Sequence, residues 1–429
     1  MLTCLTPMLG NRLEGPLINI LTRIILYLLV RLKLLNILNI VIMKCTLAVI
    51  LITLSFGVVK AQENPNFYLH ENGVTIMCPD ASNGETGNIN GIEYTKRSKD
   101  QITIENASKT CTSGITDMNG LFRDATTFNG DIGHWDVSKV TDMNKMFNTA
   151  TRFNQDISAW DVSKVTNMTS MFYSAKSFNQ DISTWDVSNV TIMSGMFNRA
   201  DSFNQPLNSW DVSKVTDLSY MFAFNPQFNQ PLSDWNTSSV TNIYQIFSRA
   251  TSFNQNINNW DVSNITNMMD IFNGAKAFNQ PLDKWDVRQV LYFKNTFVNA
   301  TSFNQDLSAW KLYSFQNTEN FLSNTGIQNS YYTSMLISWA NDDSTMVFGN
   351  LNISTSYNQD AIEARQKLID DFNWTISDGG LAYYPDSLEL ISPAQNEIDV
   401  STTPKLTWKC SGGNGSSECY TFQLQLSSD

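Results

Sequence analysis

Between Phe128 and Asn304 one column of eight Phe-Asn dipeptides recurs with each member 25 residues after the last: Phe128, Phe153, Phe178, Phe203, Phe228, Phe253, Phe278 and Phe303. A unit of that length cannot bury its own apolar face. Successive units must stack and share one lengthwise core, which predicts a solenoid and places function on a long repeated surface instead of in one deep pocket.

Within a unit, Met168, Met171, Phe172, Ala175 and Phe178 have the i, i+3, i+4, i+7, i+10 spacing of one helical face, and Thr166 stands where a helix N-cap is wanted. Ile157, Trp160 and Val162 lie in a β-branched and aromatic stretch suited to a short strand. One strand plus a short helix or tight helical turns per unit makes an α/β repeat, a β/α solenoid whose parallel strands would stack about 4.8 Å apart. The unbroken Asn column, Asn129 through Asn304, is expected to act as an internal ladder for turn backbone groups.

The segments on either side read differently. Residues 43–61 look like a signal peptide, with Lys44, an apolar run from Leu47 to Val59, and cleavage expected between Ala61 and Gln62. Residues 1–42 are apolar from Leu17 but carry Arg23, Arg31 and Lys33, which suits either sequence upstream of the native start or a membrane-associated leader. A polar N-terminal cap is expected over 62–114, the repeats over 115–321, and a C-terminal cap over 322–380, with amphipathic helices at Tyr331 to Ala340 and Asp360 to Phe372. Residues 381–429 have the alternation of β-sandwich strands but only about half the length such a module needs, so the chain reads as stopping inside it.

The unit Phe-Asn-Gln-(Asp/Pro)-(Ile/Leu)-x-x-Trp-Asp-Val-Ser-x-Val-Thr-x-Met-x-x-Met-Phe, running from about Ile115 to Phe321, resembles the repeat of bacterial surface proteins and mycoplasma lipoproteins related to the BspA-like leucine-rich-repeat surface antigens. The resemblance implies a leucine-rich-repeat-like solenoid on a bacterial exterior, with adhesion or protein binding and no enzymatic activity. It also implies a fibronectin-III or immunoglobulin-like module from Ser392.

Composition narrows the function. With 42% hydrophobic residues, 11 Trp and 25 Phe the chain is a folded protein, and a net charge of −12 with 28 Lys+Arg removes the electrostatic basis for gripping nucleic acid. Cys78, Cys111, Cys410 and Cys419 form two local pairs outside the repeats, read as disulfides of an oxidising compartment, with free thiols as the alternative. Only His70 and His134 are present, and no nucleophile, zinc-protease or phosphate-cradling motif appears, so no catalytic residue and no cofactor is expected.

The Asp column includes Asp136, Asp161, Asp186 and Asp211, stacked one coil apart, where like charges repel by about 0.8 kcal/mol per pair in water. An Asx-turn to the N–H two residues on offsets this, and bound Ca²⁺ is the second candidate. Tyr173, Tyr220, Phe224, Tyr244 and Tyr292 occupy columns otherwise small or polar and are expected to project outward as a binding face. The expected partner is a protein or glycan on another cell or in the matrix, and no integral span is expected in the mature chain. The alternatives are a secreted carbohydrate-active enzyme or glycan-binding accessory, and a surface-layer or matrix component.

Overall fold

A computed structural model describes residues 22–24, 27, 64–313, 318–342 and 349–382 with their side chains, and 387–392, 405–411 and 424–425 by backbone. The chain divides into two compact units, Met1–Glu63 and Asn64–Asp429. In the first, residues 22–24 and 27 are helical; the expected cleavage site at Ala61 and Gln62 lies outside the described residues. Among the described residues no helix is long and apolar enough to cross a membrane.

Within the second unit the 25-residue repeats lie one on the next, joined by parallel bridges between equivalent positions, such as Asp117 to Asp142, Asp142 to Asn167 and Asn167 to Ile192. The backbone donors next to these bridges alternate in direction. Met143, Lys145, Phe147 and Thr149 donate their N–H groups to Asn167, Thr169, Met171 and Tyr173 of the following unit. Met146, Asn148 and Ala150 donate to Met143, Lys145 and Phe147 of their own. Each donor of this segment is thereby satisfied, half by the neighbour and half by overlapping turns.

Of the two expectations for this segment, a short helix or tight turns, each unit has turns. Two residues per unit adopt left-handed backbone: Lys145 (φ 55°) and Thr149 (φ 62°), then Ser170 (φ 53°) and Ser174 (φ 54°). A continuous α-helix requires φ near −63° throughout. The turns still point Met143, Met146, Phe147, Ala150 and Phe153 inward, so the helical spacing of apolar residues is reproduced without a helix. Thr166 is no N-cap either. Its N–H and hydroxyl both donate to the carbonyl of Thr141, and Thr191 repeats this onto Thr166.

The strand expected around 157–162 is also absent. Asp156 and Asp161 accept from the N–H groups of Ser158 and Ser163, and the turns from Ile157 to Trp160 and Val162 to Val165 close by hydrogen bonds. Ile157, Trp160 and Val162 are all buried, a pattern two tight turns permit and an alternating strand does not.

Three aromatic columns run through the core, two of Phe and one of Trp. Phe172 stacks on Phe178 of its own unit at 3.9 Å and on Phe147 and Phe197 at 5.5 and 5.8 Å. Such pairs contribute about 0.5 to 1.5 kcal/mol each beyond area burial. The Trp column adds a polar tie: Trp160 Nε1 donates to Ile132 O at 3.1 Å, Trp185 to Ile157 O and Trp210 to Ile182 O. Equivalent rings of the Phe-Asn column are 5.7 to 6.2 Å apart.

The Asn ladder lies on the outer side, half-buried: Asn154 N–H donates to Asn129 Oδ1 at 2.8 Å and Asn179 N–H to Asn154 Oδ1 at 2.9 Å, while Gln180 Nε2 reaches the same Asn154 oxygen.

The N-terminal segment forms strands β1 (Tyr68–Leu69), β2 (Ile76–Met77), β3 (Thr86–Ile89), β4 (Ile92–Lys96) and β5 (Thr110–Cys111). β1 pairs with β2, and β3, β4 and β5 form a second sheet in that order. A Cys78–Cys111 disulfide closes this part over a small core of Phe67, Ile76 and Tyr94. The buried Lys96 ammonium donates to the carbonyls of Cys78 and Ser113.

Past the repeats, helix α1 (Asn329–Ala340) packs on α2 (Ile362–Asp370), with β6 (Asn350–Asn352) parallel to β7 (Thr375–Ser377). Tyr332 and Arg365 converge on buried Asp378 there. β8 (Ser387–Ser392), β9 (Lys405–Ser411) and β10 (Leu424–Gln425) form an antiparallel sheet in the order β10-β9-β8. Cys410 falls in β9 with its side chain outside the described residues, as Cys419 lies wholly outside them.

Candidate binding surface

Side chains at the two left-handed positions of each unit have no partner in the repeated core and stand on the bridged face. Tyr220 (φ 58°) and Phe224 (φ 56°) hold both positions of a single unit. Tyr244, on the next unit, meets Tyr220 edge-to-face with ring centres 5.1 Å apart. Gln245 Nε2 donates to the Tyr244 hydroxyl at 3.1 Å and faces the buried carboxylate of Asp270, which also accepts from Asn273 Nδ2 at 2.6 Å. Burial raises the Tyr220 phenol above its ordinary value, reinforced by Tyr244 and Asp270, so it remains a hydroxyl donor through neutral pH.

Phe224 is flanked by guanidinium groups from the units on either side. Arg199 lies 4.4 Å from its ring centre and Arg249 5.2 Å. Tyr173 and Tyr292 are on the same face but on other units. All five aromatics are half-buried. The structure thus brings Tyr220 and Tyr244 together and sets Phe224, on the same unit as Tyr220, between Arg199 and Arg249. Arg199, Arg249, Gln245 and Asp270 were missed by sequence reasoning, although Arg199 and Arg249 sit one period before and after Phe224.

The Asp column is elsewhere on each unit. Asp136, Asp161, Asp186 and Asp211 accept from the N–H of Ser138, Ser163, Ser188 and Ser213 at 3.0 to 3.1 Å. Hydrogen bonding from Ser188 and Ser213, side chain first and backbone second, holds Asp186 and Asp211 below the usual carboxylate range. Among the described residues no three His, Cys, Asp or Glu side chains are grouped to hold a metal ion. His134, 8% exposed, is a packing residue: its Nε2 lies 3.0 Å from Thr110 O and its ring 4.9 Å from that of Tyr94.

Stacked units, a repeated core and side-chain variation confined to surface turns define a repeat protein. Four overlapping segments, 92–191, 179–268, 227–339 and 255–363, match the family described as Mycoplasma protein of unknown function, DUF285. Together they span more than half of the chain, which belongs to that family. No curated protein and no solved structure matches it.

Proposed function

We propose that this chain is a secreted or cell-surface protein of the BspA-like kind, a capped leucine-rich-repeat-like solenoid that binds protein or another ligand through an extended, non-catalytic surface. The apolar run from Leu47 to Val59, followed by a cleavage position expected after Ala61, supports export, and the sheet of β8 to β10 suits a fibronectin-III-like spacer or anchor. One observation carries the reading. The repeated Phe, Trp, Asn and Asp side chains are committed to packing or to hydrogen bonds within the stack, whereas Tyr220 and Tyr244 pair with each other at positions that the repeat leaves variable.

The test is capture of the purified chain on immobilised matrix proteins and on a glycan array, beside the Tyr220→Ala/Tyr244→Ala variant. Saturable binding to at least one ligand is expected, weakened about tenfold or more in the variant at an unchanged unfolding midpoint. Polysaccharide turnover that disappears on substituting one carboxylate pair would overturn the non-catalytic reading.

A further inference from the structure

We infer that the edge formed by residues 123–127 and their equivalents in later units docks an anionic polysaccharide. The proposal rests on the binding role argued above and names a partner class for the strip that runs through Phe224 and its flanking Arg199 and Arg249. In a chain of net charge −12, this edge carries Arg123, Arg152, Lys176, Arg199, Arg249 and Lys276 against two carboxylates, Asp124 and Asp201. Those two are already engaged, Asp124 by Arg123 at 3.4 Å and Asp201 by Lys176 at 3.8 Å. Among the described residues Arg152, Arg199, Arg249 and Lys276 have no ion pair, and all four are exposed.

These cations form a row. Ser177 N–H donates to Thr151 O, Ser202 to Lys176 O and Ala277 to Thr251 O, so the edge turns stack in register. From Arg152 to Lys276 the adjoining Phe column advances in five steps of 5.9 to 6.2 Å, carrying the row over roughly 30 Å along the stack. Its centre is pre-organised. Phe224 holds Arg199 on one side and Arg249 on the other, and the Arg249 stem lies across Gly274, where a Cβ would come 3.3 Å from its Cγ.

The rest of the edge selects the partner class. Its alanines, such as Ala175 and Ala200, are fully buried, and Phe224 has its ring covered by guanidinium groups. Tyr173 is the one other aromatic of the edge up to residue 277, so the strip lacks the repeated sockets or rings along its cations that a protein or single-stranded nucleic acid partner would use. What surrounds the cations is hydroxyl-bearing: Thr151, Ser174, Ser177 and Ser202. A linear row of cations among hydroxyls suits a linear chain of sulfated or carboxylated sugars, whose charges pair with guanidinium and whose hydroxyls hydrogen-bond between them.

The experiment titrates the full chain with dextran sulfate, neutral dextran, poly-glutamate and duplex DNA at low and high salt. Variants are Arg199→Gln/Arg249→Gln and, as a control of equal charge change, Lys164→Gln/Lys214→Gln beside the Asp column. Dextran sulfate is expected to bind in a salt-sensitive way and neutral dextran not at all. The arginine pair should lose about tenfold or more in affinity with the unfolding midpoint unchanged, and the lysine pair should match the parent. Equal losses in both variants, or equally tight binding of poly-glutamate or DNA, overturn the inference. Absence of dextran sulfate binding with retained Tyr220- and Tyr244-dependent capture also overturns it while leaving the wider reading in place; loss of both refutes both.

Discussion

The Trp column illustrates how a single residue type can be demanded by two requirements at once. Trp185 is 3% exposed, stacks on Trp160 with ring centres 6.3 Å apart and donates Nε1 to Ile157 O at 3.1 Å. A phenyl ring would supply much of the packing but no donor. Trp185→Phe should cost about 1 to 3 kcal/mol, combining the loss of one of the two hydrogen bonds to Ile157 O, which keeps the Trp160 N–H, with the volume lost from the indole. Urea unfolding measures it, and a loss under about 0.5 kcal/mol, the scale of an ordinary surface substitution, would show that the indole N–H is dispensable.

At the scale of elements, periodicity made the inward columns legible, because a buried position repeats its chemistry: Phe147, Trp160, Val162 and Met168 all lie in the core where the 25-residue spacing put them. The backbone linking those columns was not legible. Lys145, Thr149, Ser170 and Ser174 adopt left-handed backbone without the glycine that would announce it, since cross-unit hydrogen bonds hold them there. The disulfide partners Cys78 and Cys111 were readable, whereas the seating of the cap on the first unit through Ile76 N–H to His134 O and Thr112 Oγ1 to Asp136 O was not.

That junction should respond to acid. Burial holds the His134 imidazole below its ordinary value of 6.5, against smaller opposing contributions from Thr110 O and Asp131. The unfolded state therefore takes up the proton first, so the stability due to neutral His134 is fully present above pH 6.5 and is lost as pH falls through the folded value. The hydrogen-bonded Asp186 and Asp211 titrate below the usual carboxylate range, so the stability they add is present above that range and is lost only at lower pH than the His134 change. Hydrogen exchange at Ile76 N–H should speed up between neutral pH and pH 5 beyond its intrinsic pH dependence, and His134→Gln should flatten that change. An unchanged protection factor in the parent would rule the mechanism out.

For the whole molecule, the unit of folding energy is the interface between neighbours, and every bond across it spans a near-fixed separation. Bridges join residues 25 apart, Asn ladders 25 apart, and the Trp bonds 28 apart. Deleting residues 154–178 removes one complete period, so Phe153 is followed by Asn179 and each surviving residue meets the equivalent of its former partner; Trp185 Nε1, for example, inherits Ile132 O. Deleting 154–166 instead removes about half a period and sets core columns against surface turns along all later units. Because stability in such arrays is approximately a sum over units and nearest-neighbour interfaces, the first deletion should retain the parent's circular dichroism per residue and cooperative unfolding with a lower midpoint. The second should leave the chain unable to assemble a continuous stack, with loss of the cooperative transition. Similar behaviour of the two deletions would mean that the fold tolerates a phase error, and that register between units is set by something other than the ladders described.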